Sequence, residues 1–321
     1  MKTEKAHEYR LKYGLEMPSA KLARILYAEN PLLYKDVEDA RKFLRNVEGK
    51  VNPDRKKALI NVPERPKNPY KLPVSDAKEY EPLEIEGERI LILSDVHIPY
   101  HDVDAITAIF DFCKGQKFDG ILLNGDILDF YNLSRFSRDP KARSVDGELK
   151  LLWEFYHVLQ EQFNCQIYYK FGNHEERYDH FLHMKAAELS GVEEFSLVEV
   201  IGRRLPGAVL IKDKRIVRFG QLSIIHGHEY SSGIFQSVNV ARGLFLKSKV
   251  SSLQGHAHQV SEHTETDLHG SITTTWSVGC LCDLHPDYAK LNKWSQGFAI
   301  AEKDGEGFTV KNYRIHQGKV L

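Results

Sequence analysis

Short apolar runs alternate with amphipathic stretches along the chain, and the period of the apolar positions changes near residue 84. Before that point Leu22, Ile25 and Leu26 stand at helical spacing behind Ser19, and Val37, Ala40, Leu44 and Val47 do so behind Asp36. Each set predicts a helix with a side-chain cap at its start, Gly49 stopping the second, and a further helix is expected near residues 4–13. From residue 90 the pattern reads strand, helix, strand. ILIL (90–93), GILLNGD (120–126) and QIYYKF (166–171) are apolar runs of strand length. Between them Ile106, Ile109, Phe110 and Cys113, and then Leu152, Tyr156, Leu159 and Phe163, form core-facing helical stripes. LSII (222–225) and SSLQ (251–254) are shorter strands that run into histidine clusters, and Ser271–Val310, rich in Thr, Trp, Val and Tyr, reads as more sheet. The rhythm places the body among α/β folds.

Composition divides the chain. Six of its twelve prolines lie between Pro53 and Pro82, a density that forbids regular helix, so a small helical unit (1–50), a proline-rich linker (51–83) and a large domain (84–321) are expected. The net charge of −1 conceals an asymmetry: residues 1–80 hold 18 Lys and Arg against 12 Asp and Glu, or +6, and the rest carries −7. A basic front end suits an anionic partner, and a helix-turn-helix arrangement would turn Arg41, Lys42 and Arg45 toward nucleic-acid phosphates. That helix also begins with Glu38 and Asp39, an order that suits its dipole without any partner. With 42% hydrophobic residues the chain is globular, yet no stretch reaches the ~18 apolar residues of a membrane span. The charged start MKTEKAHEYR does not read as a secretory signal, so a cytoplasmic location is expected. Four scattered cysteines (Cys113, Cys165, Cys280, Cys282) form no C-x-x-C pair, and cysteine chemistry is not expected.

The chemistry concentrates at five strand ends: Asp95-Val-His97, Gly125-Asp126-Ile-Leu-Asp129, Gly172-Asn173-His174-Glu175, His226-Gly-His228 and Gly255-His256-Ala-His258. In an extended segment residues i and i+2 point the same way, so Asp95 with His97, and His256 with His258, would each present two ligands to one site. Carboxylate, imidazole and amide oxygen without thiolate suit Mn²⁺, Fe²⁺, Zn²⁺ or Ni²⁺. Asp95, His97, Asp126, Asn173, His226, His256 and His258 are too many donors for one ion, whereas two ions bridged by Asp126 use all seven.

These five blocks, in this order over residues 88–283, resemble the calcineurin-like metallophosphoesterase family, whose pattern is D-x-H, G-D-x-x-D, G-N-H-[ED], H and G-H-x-H. The resemblance implies a four-layer α-β-β-α metallophosphoesterase sandwich behind the small helical unit. It also implies two divalent ions, Mn²⁺ foremost, the first on Asp95, His97, Asp126 and His258 and the second on Asp126, Asn173, His226 and His256. In that scheme a bridging hydroxide attacks phosphorus in line and His174, not a ligand, stabilises the developing charge or protonates the leaving oxygen. Asp129 and Glu175 are expected to orient histidines, with Arg177, His101 and His228 as candidates for substrate contact or support. His7, His157, His180, His183, His263, His269 and His316 are read as surface or packing residues, and Gly279 with Cys280 as a tightly packed turn.

Serine/threonine phosphatases of this family carry Arg-Gly after G-D-x-x-D. Here Phe130 and Tyr131 follow Asp129, which argues against that branch. GNHEERYDHF, the glycine-containing turn after His228 and CLCDLHPDYAKLNKW are similar to phosphoesterases of bacteriophages and prophages. A nucleic-acid or nucleotide phosphodiester is then the expected substrate, gripped by basic residues 1–80, with Phe130, Tyr131 and Phe136 as candidates for base stacking. The alternatives are a small-molecule phosphomonoesterase or cyclic-nucleotide phosphodiesterase and, outside enzymes, a DNA-binding module with a vestigial metal site.

Overall fold

The computed structural model describes residues 1–14, 17–50, 70–77, 80–134, 144–230, 238–286, 289–305 and 307–321. Most of the proline-rich linker and Phe136 lie outside this set. The chain divides into two compact units, Met1–Ala77 and Lys78–Leu321.

The first unit holds three helices, α1 (Lys2–Tyr13), α2 (Ser19–Glu29) and α3 (Val37–Val47), closed over Leu22, Leu26, Ala40 and Leu44. Asp36 caps α3 as expected, accepting from the Asp39 amide at 2.7 Å, and Gly49, at φ 72°, takes the left-handed turn that ends it. Ser19 does not cap α2. The helix starts behind Pro18, whose ring presets the backbone, and the Ser19 hydroxyl donates to Glu48 Oε2 at 2.7 Å. Glu48 also pairs with Arg10, a residue of the α1 core face that is only 2% exposed and that donates to the carbonyls of Gly14 and Met17. A guanidinium with this many partners can stay buried; without it, Glu48 would lose the partner of Oε1 and keep only Lys50 (2.9 Å) and Ser19 on Oε2.

The second unit is built on two sheets. One has seven strands: β2 (Arg89–Leu93), β3 (Gly120–Asn124), β4 (Gln166–Lys170) and β5 (Val209–Ile211) run parallel, and β11 (Gln296–Asp304), β12 (Gly307–His316) and β13 (Lys319–Val320) extend it antiparallel from β2. The other has six, in the order β1 (Leu83–Glu84), β6 (Val217–Phe219), β7 (Leu222–Ile224), β8 (Ser252–Gln254), β10 (Ile272–Ser277) and β9 (Ser261–Thr266).

Side-chain alternation stacks these sheets. Ile90, Ile92, Leu122 and Ala299 face the second sheet's Val217, Phe219, Ile224 and Leu253. Their neighbours Leu91, Leu93, Ile121, Leu123 and Ile300 face α4 (Val103–Cys113) and α5 (Val145–Phe163) on the other side. Because both faces are covered, the central strands are apolar throughout, which is why they read as runs rather than alternations. Helix α6 (Val240–Ser248) covers the outer face of the second sheet, where Thr275 Oγ1 donates to the Ala241 carbonyl at 2.7 Å. The result is the expected α-β-β-α sandwich. Phe130, proposed for base stacking, is fully buried in the helix-side core, because its backbone turns left-handed (φ 47°) and sends the ring inward against Tyr178. Among the described residues no helix is long and apolar enough to cross a membrane.

Arg10→Met should destabilise the helical unit by about 3 kcal/mol, the low end for a broken buried pair, because Glu48 keeps Lys50 and Ser19. Denaturant unfolding of the full chain, followed by far-ultraviolet circular dichroism, should show helical signal lost earlier with the β-sheet transition unmoved.

Candidate metal centre

The five blocks occupy the loops leaving the C-terminal ends of β2, β3 and β4 in one sheet and of β7 and β8 in the other. Cross-sheet bonds hold those ends together: Asn124 Nδ2 donates to the Ile225 carbonyl (2.8 Å), His226 Nδ1 to the Asn124 carbonyl (2.7 Å) and the His256 amide to Asp95 Oδ2 (2.9 Å). Asp95 and His97 do not sit in an extended segment, nor do His256 and His258. Their φ angles are 55°, 51°, 63° and 55°, and Asp126 is also left-handed at 52°. The side chains converge through reversals of the backbone, not through strand pleat. Such a conformation costs of order 1–3 kcal/mol per residue and persists only where surrounding contacts enforce it. Two glycines allow the enforcing contacts. A Cβ on Gly172 would lie 2.2 Å from Asp126 Oδ1, and one on Gly255 would lie 2.0 Å from Ser94 Oγ.

The donor atoms gather in overlapping groups. Those of Asp126, His226 and His256 lie within 4.8 Å of one another, as do those of His97, Asp126 and His174. Asp126 Oδ2 is 3.3 Å from His226 Nε2 and 3.9 Å from His174 Nε2, while its Oδ1 accepts from the His174 amide at 2.8 Å. On the other side His97 Nε2 and His258 Nε2 stand 3.1 Å apart, with Asp95 Oδ1 at 3.2 Å from the latter and 3.9 Å from the former.

Six buried atoms in the five blocks lack a hydrogen-bond partner: Asp95 Oδ1, Asn173 Oδ1, His226 Nε2, His228 Nδ1, His256 Nδ1 and His258 Nδ1. Buried polar atoms are seldom left so. All but His228 belong to the residues expected as ligands, and oxygen and imidazole donors gathered in this way fit divalent cations. The His226 tautomer agrees, since giving its Nδ1 proton to Asn124 leaves Nε2 as a lone-pair donor.

Electrostatics follow from burial against close charge. Asp126 is held well below the usual carboxylate range: burial opposes its ionisation, but His174 and His226 outweigh it. His226 and His258 are pushed up to about 10, burial being overcome by Asp126 for the first and Asp95 for the second. His256 is lowered to about 4 by burial and by the His226 charge, so it is neutral near pH 7.

Asp129 orients histidines as expected, with Oδ1 3.0 Å from both His97 Nδ1 and His174 Nδ1. Glu175 takes a different part. Its carboxylate accepts from the amides of Asp126 (3.0 Å), Ile127 (2.8 Å), Leu128 (3.0 Å) and Gly172 (2.8 Å) and from the Tyr169 hydroxyl (2.9 Å), so it shapes the turn carrying Asp126 and touches no histidine. Arg177 donates to the Asp129 carbonyl at 2.9 Å and reaches His174 Nε2 at 2.8 Å. His228 turns to Glu176 (3.0 Å), and His101 forms a backbone bridge with Cys282.

Three participants were not legible from the motifs. Glu229 accepts from the amides of His226 (3.0 Å) and Gly227 (2.6 Å) and pairs with the fully buried Lys170 at 2.9 Å. Trp294 packs edge-on against His258, ring centres 4.2 Å apart. Contrary to the expectation that cysteines stand apart from the chemistry, the Cys282 sulfur groups with the donor atoms of His97 and His258 within 4.8 Å. The only sequence signal for it is Cys280-Leu-Cys282, two thiols on one side of an extended segment.

Residues 88–273 match the family model for calcineurin-like phosphoesterases. The chain is 25% identical over 234 residues to the Gene 54 protein of Mycobacterium phage L5, spanning 68% of this chain and 91% of the relative. It is 24% identical over 232 residues to the Gene 54 protein of Mycobacterium phage D29, spanning 68% and 90%. Among solved structures it is similar to Vps29 of Chaetomium thermophilum, at a TM-score of 0.40 and 14% identity over 73% of this chain and 95% of the other.

Protonated His226 and His258 compete with any cation for their nitrogens, so uptake must release protons. Adding Zn²⁺ to chelator-treated protein near pH 7 in weak buffer should acidify the solution, and apparent affinity should rise with pH up to about 10, where both imidazoles lose their protons. Affinity independent of pH between 6 and 8 would contradict the charge state assigned to these two residues, a window placed by the ordinary histidine value of about 6.5.

Proposed function

Because the chain belongs to the calcineurin-like phosphoesterase family, whose members hydrolyse phosphoesters with divalent metal ions, we propose that it is a two-metal phosphodiesterase acting on nucleic acid or nucleotides. The observation that carries the reading is the set of buried atoms without hydrogen-bond partners on Asp95, Asn173, His226, His256 and His258, together with an Asp126 carboxylate that belongs to two donor groups at once. Asp95, His97, Asp126 and His258 would hold one ion, and Asp126, Asn173, His226 and His256 the other. When bound, the ions supply positive charge for the phosphate and lower the pKa of water enough to make hydroxide available near neutral pH.

The protein's own groups do the rest. His174 has its Nδ1 anchored on Asp129, which leaves Nε2 as the working atom. Its pKa is raised: burial opposes the charged form, but Asp126 and Asp129 outweigh it and the Arg177 charge; because the Arg177 guanidinium donates to Nε2 in this structure, it must turn away before Nε2 can hold a proton for a leaving oxygen. Arg177 shares that side of the ring and would meet an entering phosphate oxygen with a charge-assisted hydrogen bond. Asp129, bonded to both His97 and His174, couples the orientation of a ligand to that of the acid.

Two features favour a nucleic-acid substrate. Tyr131 follows the G-D-x-x-D block and its ring lies 6.2 Å from the exposed Tyr100, an aromatic pair on which a base can stack. In the helical unit Lys42 and Arg45 are exposed on α3, available to backbone phosphates. The phage relatives suit a phage-encoded enzyme working in a host cytoplasm.

The direct test is hydrolysis of bis-p-nitrophenyl phosphate and of labelled single- and double-stranded DNA with Mn²⁺, with and without EDTA. Cleavage of both substrates, abolished by EDTA, is expected; cleavage of the diester alone would redirect the assignment to a small nucleotide. His174→Ala should keep its metal content by elemental analysis while losing about 10²–10⁴ in turnover. Asp126→Asn should lose both ions. Reversing charge with Lys42→Glu and Arg45→Glu should weaken DNA binding and flatten its salt dependence, with bis-p-nitrophenyl phosphate turnover unchanged.

A further inference from the structure

We infer that Cys282 is a thiolate ligand to the cation held by His97 and His258, making that position one for a thiophilic ion such as Zn²⁺ or Fe²⁺ over Mn²⁺ or Mg²⁺. The inference rests on the two-metal reading and specifies the chemistry of one of its positions.

The donor atoms of His97, His258 and Cys282 lie within 4.8 Å of one another and all three residues are buried. Asp95 Oδ1 stands beside this group, 3.2 Å from His258 Nε2, fully buried and without a hydrogen-bond partner. Two imidazoles and a sulfur, beside the Asp95 and Asp126 carboxylates that the two-metal reading gives the same ion, are donors of the kind a zinc site uses. The sulfur is also held in place. The Leu281 amide donates to the Asp95 carbonyl (2.9 Å), the Asp102 amide to the Leu281 carbonyl (2.8 Å) and the Asp283 amide to the Tyr100 carbonyl (2.9 Å), so residues 281–283 are laced to the loop that carries Asp95 and His97. The backbone bridge between His101 and Cys282 fixes the register.

A buried cysteine is ordinarily a small apolar packing residue. Here the sulfur is grouped with the ring nitrogens of His97 and His258 and hydrogen-bonds the Cys280 thiol, polar surroundings that favour a metal-bound sulfur over an apolar filler. On binding, the thiol gives its proton to solvent and the S–H bond is replaced by an S–metal bond, with no change of oxidation state. Soft sulfur ranks zinc and iron above manganese and magnesium, which carboxylate and water suit better.

The test uses the full-length chain, treated with chelator and titrated with Co²⁺. Visible ligand-field absorption reports cobalt held by the protein, and a near-ultraviolet charge-transfer band reports sulfur bonded to it. Wild type and Cys280→Ser should show both; Cys282→Ser should keep the visible absorption and lose the charge-transfer band. Cobalt bound by wild type without that band would overturn the thiolate while leaving the two-metal reading intact. No cobalt uptake at all would overturn both. A band that survives Cys282→Ser but disappears in Cys280→Ser would assign the sulfur to the wrong residue. Should Cys282→Ser fail to fold, Cys113→Ser, Cys165→Ser and Cys280→Ser decide the matter by elimination. The band must persist in each if Cys282 supplies the sulfur, and its loss in any of them overturns the proposal.

Discussion

Buried carboxylates spend their lone pairs on backbone amides at the edge where the two sheets meet, and the rest of the site is arranged by that. Glu175 gathers four amides from the loops after β3 and β4, Glu229 gathers two from the loop after β7, and Asp95 takes one from the loop after β8. A carboxylate accepting several N–H groups is among the stronger neutral-to-charged links a protein can make; Glu175 and Asp95 tie together loops that the sheet alone would leave independent, while Glu229 braces its own loop and reaches the other sheet through Lys170. The left-handed backbone at the candidate ligands is the strain this lacing holds in place.

The same lacing explains what could and could not be read in advance. The donor residues were legible because their chemistry is written in their identity: Asp, His and Asn after apolar runs leave few uses other than ions. The sheet was legible because its strands are buried on both faces and so appear as unbroken apolar words. Glu175 and Glu229 could not be distinguished from any other glutamate, since what they do depends on which way distant amides point. The i, i+2 argument assumed a geometry these loops do not have, because strand alternation stops where the φ of each residue turns positive, and the His256 and His258 donor atoms fall in different groups. Ser19 shows the local version of the problem: a good capping residue was displaced by Pro18 before it and by a better partner, Glu48, far along the chain.

Cys282 lies beyond sequence reasoning for a related reason. Its segment follows the last motif and is brought back to the first by backbone bonds to residues 95–102, so the relevant spacing exists only in the folded chain. Position in the fold, rather than number of cysteines, decides whether sulfur takes part. The ring of Trp294, packed on His258, shields the same corner and lowers the local polarity around it, a setting that strengthens charge interactions among the donors beneath.

The backbone strain has an evolutionary consequence. Side chains that must sit left-handed in order to converge are each a small burden on the folded state, tolerated while ion binding makes up the difference. A descendant released from that demand gains stability by exchanging such residues for glycine or by relaxing their loops, since the two-layered β core does not depend on them. Decay of this chemistry therefore runs downhill, and it would leave behind a sound, empty-handed scaffold rather than an unfolded chain.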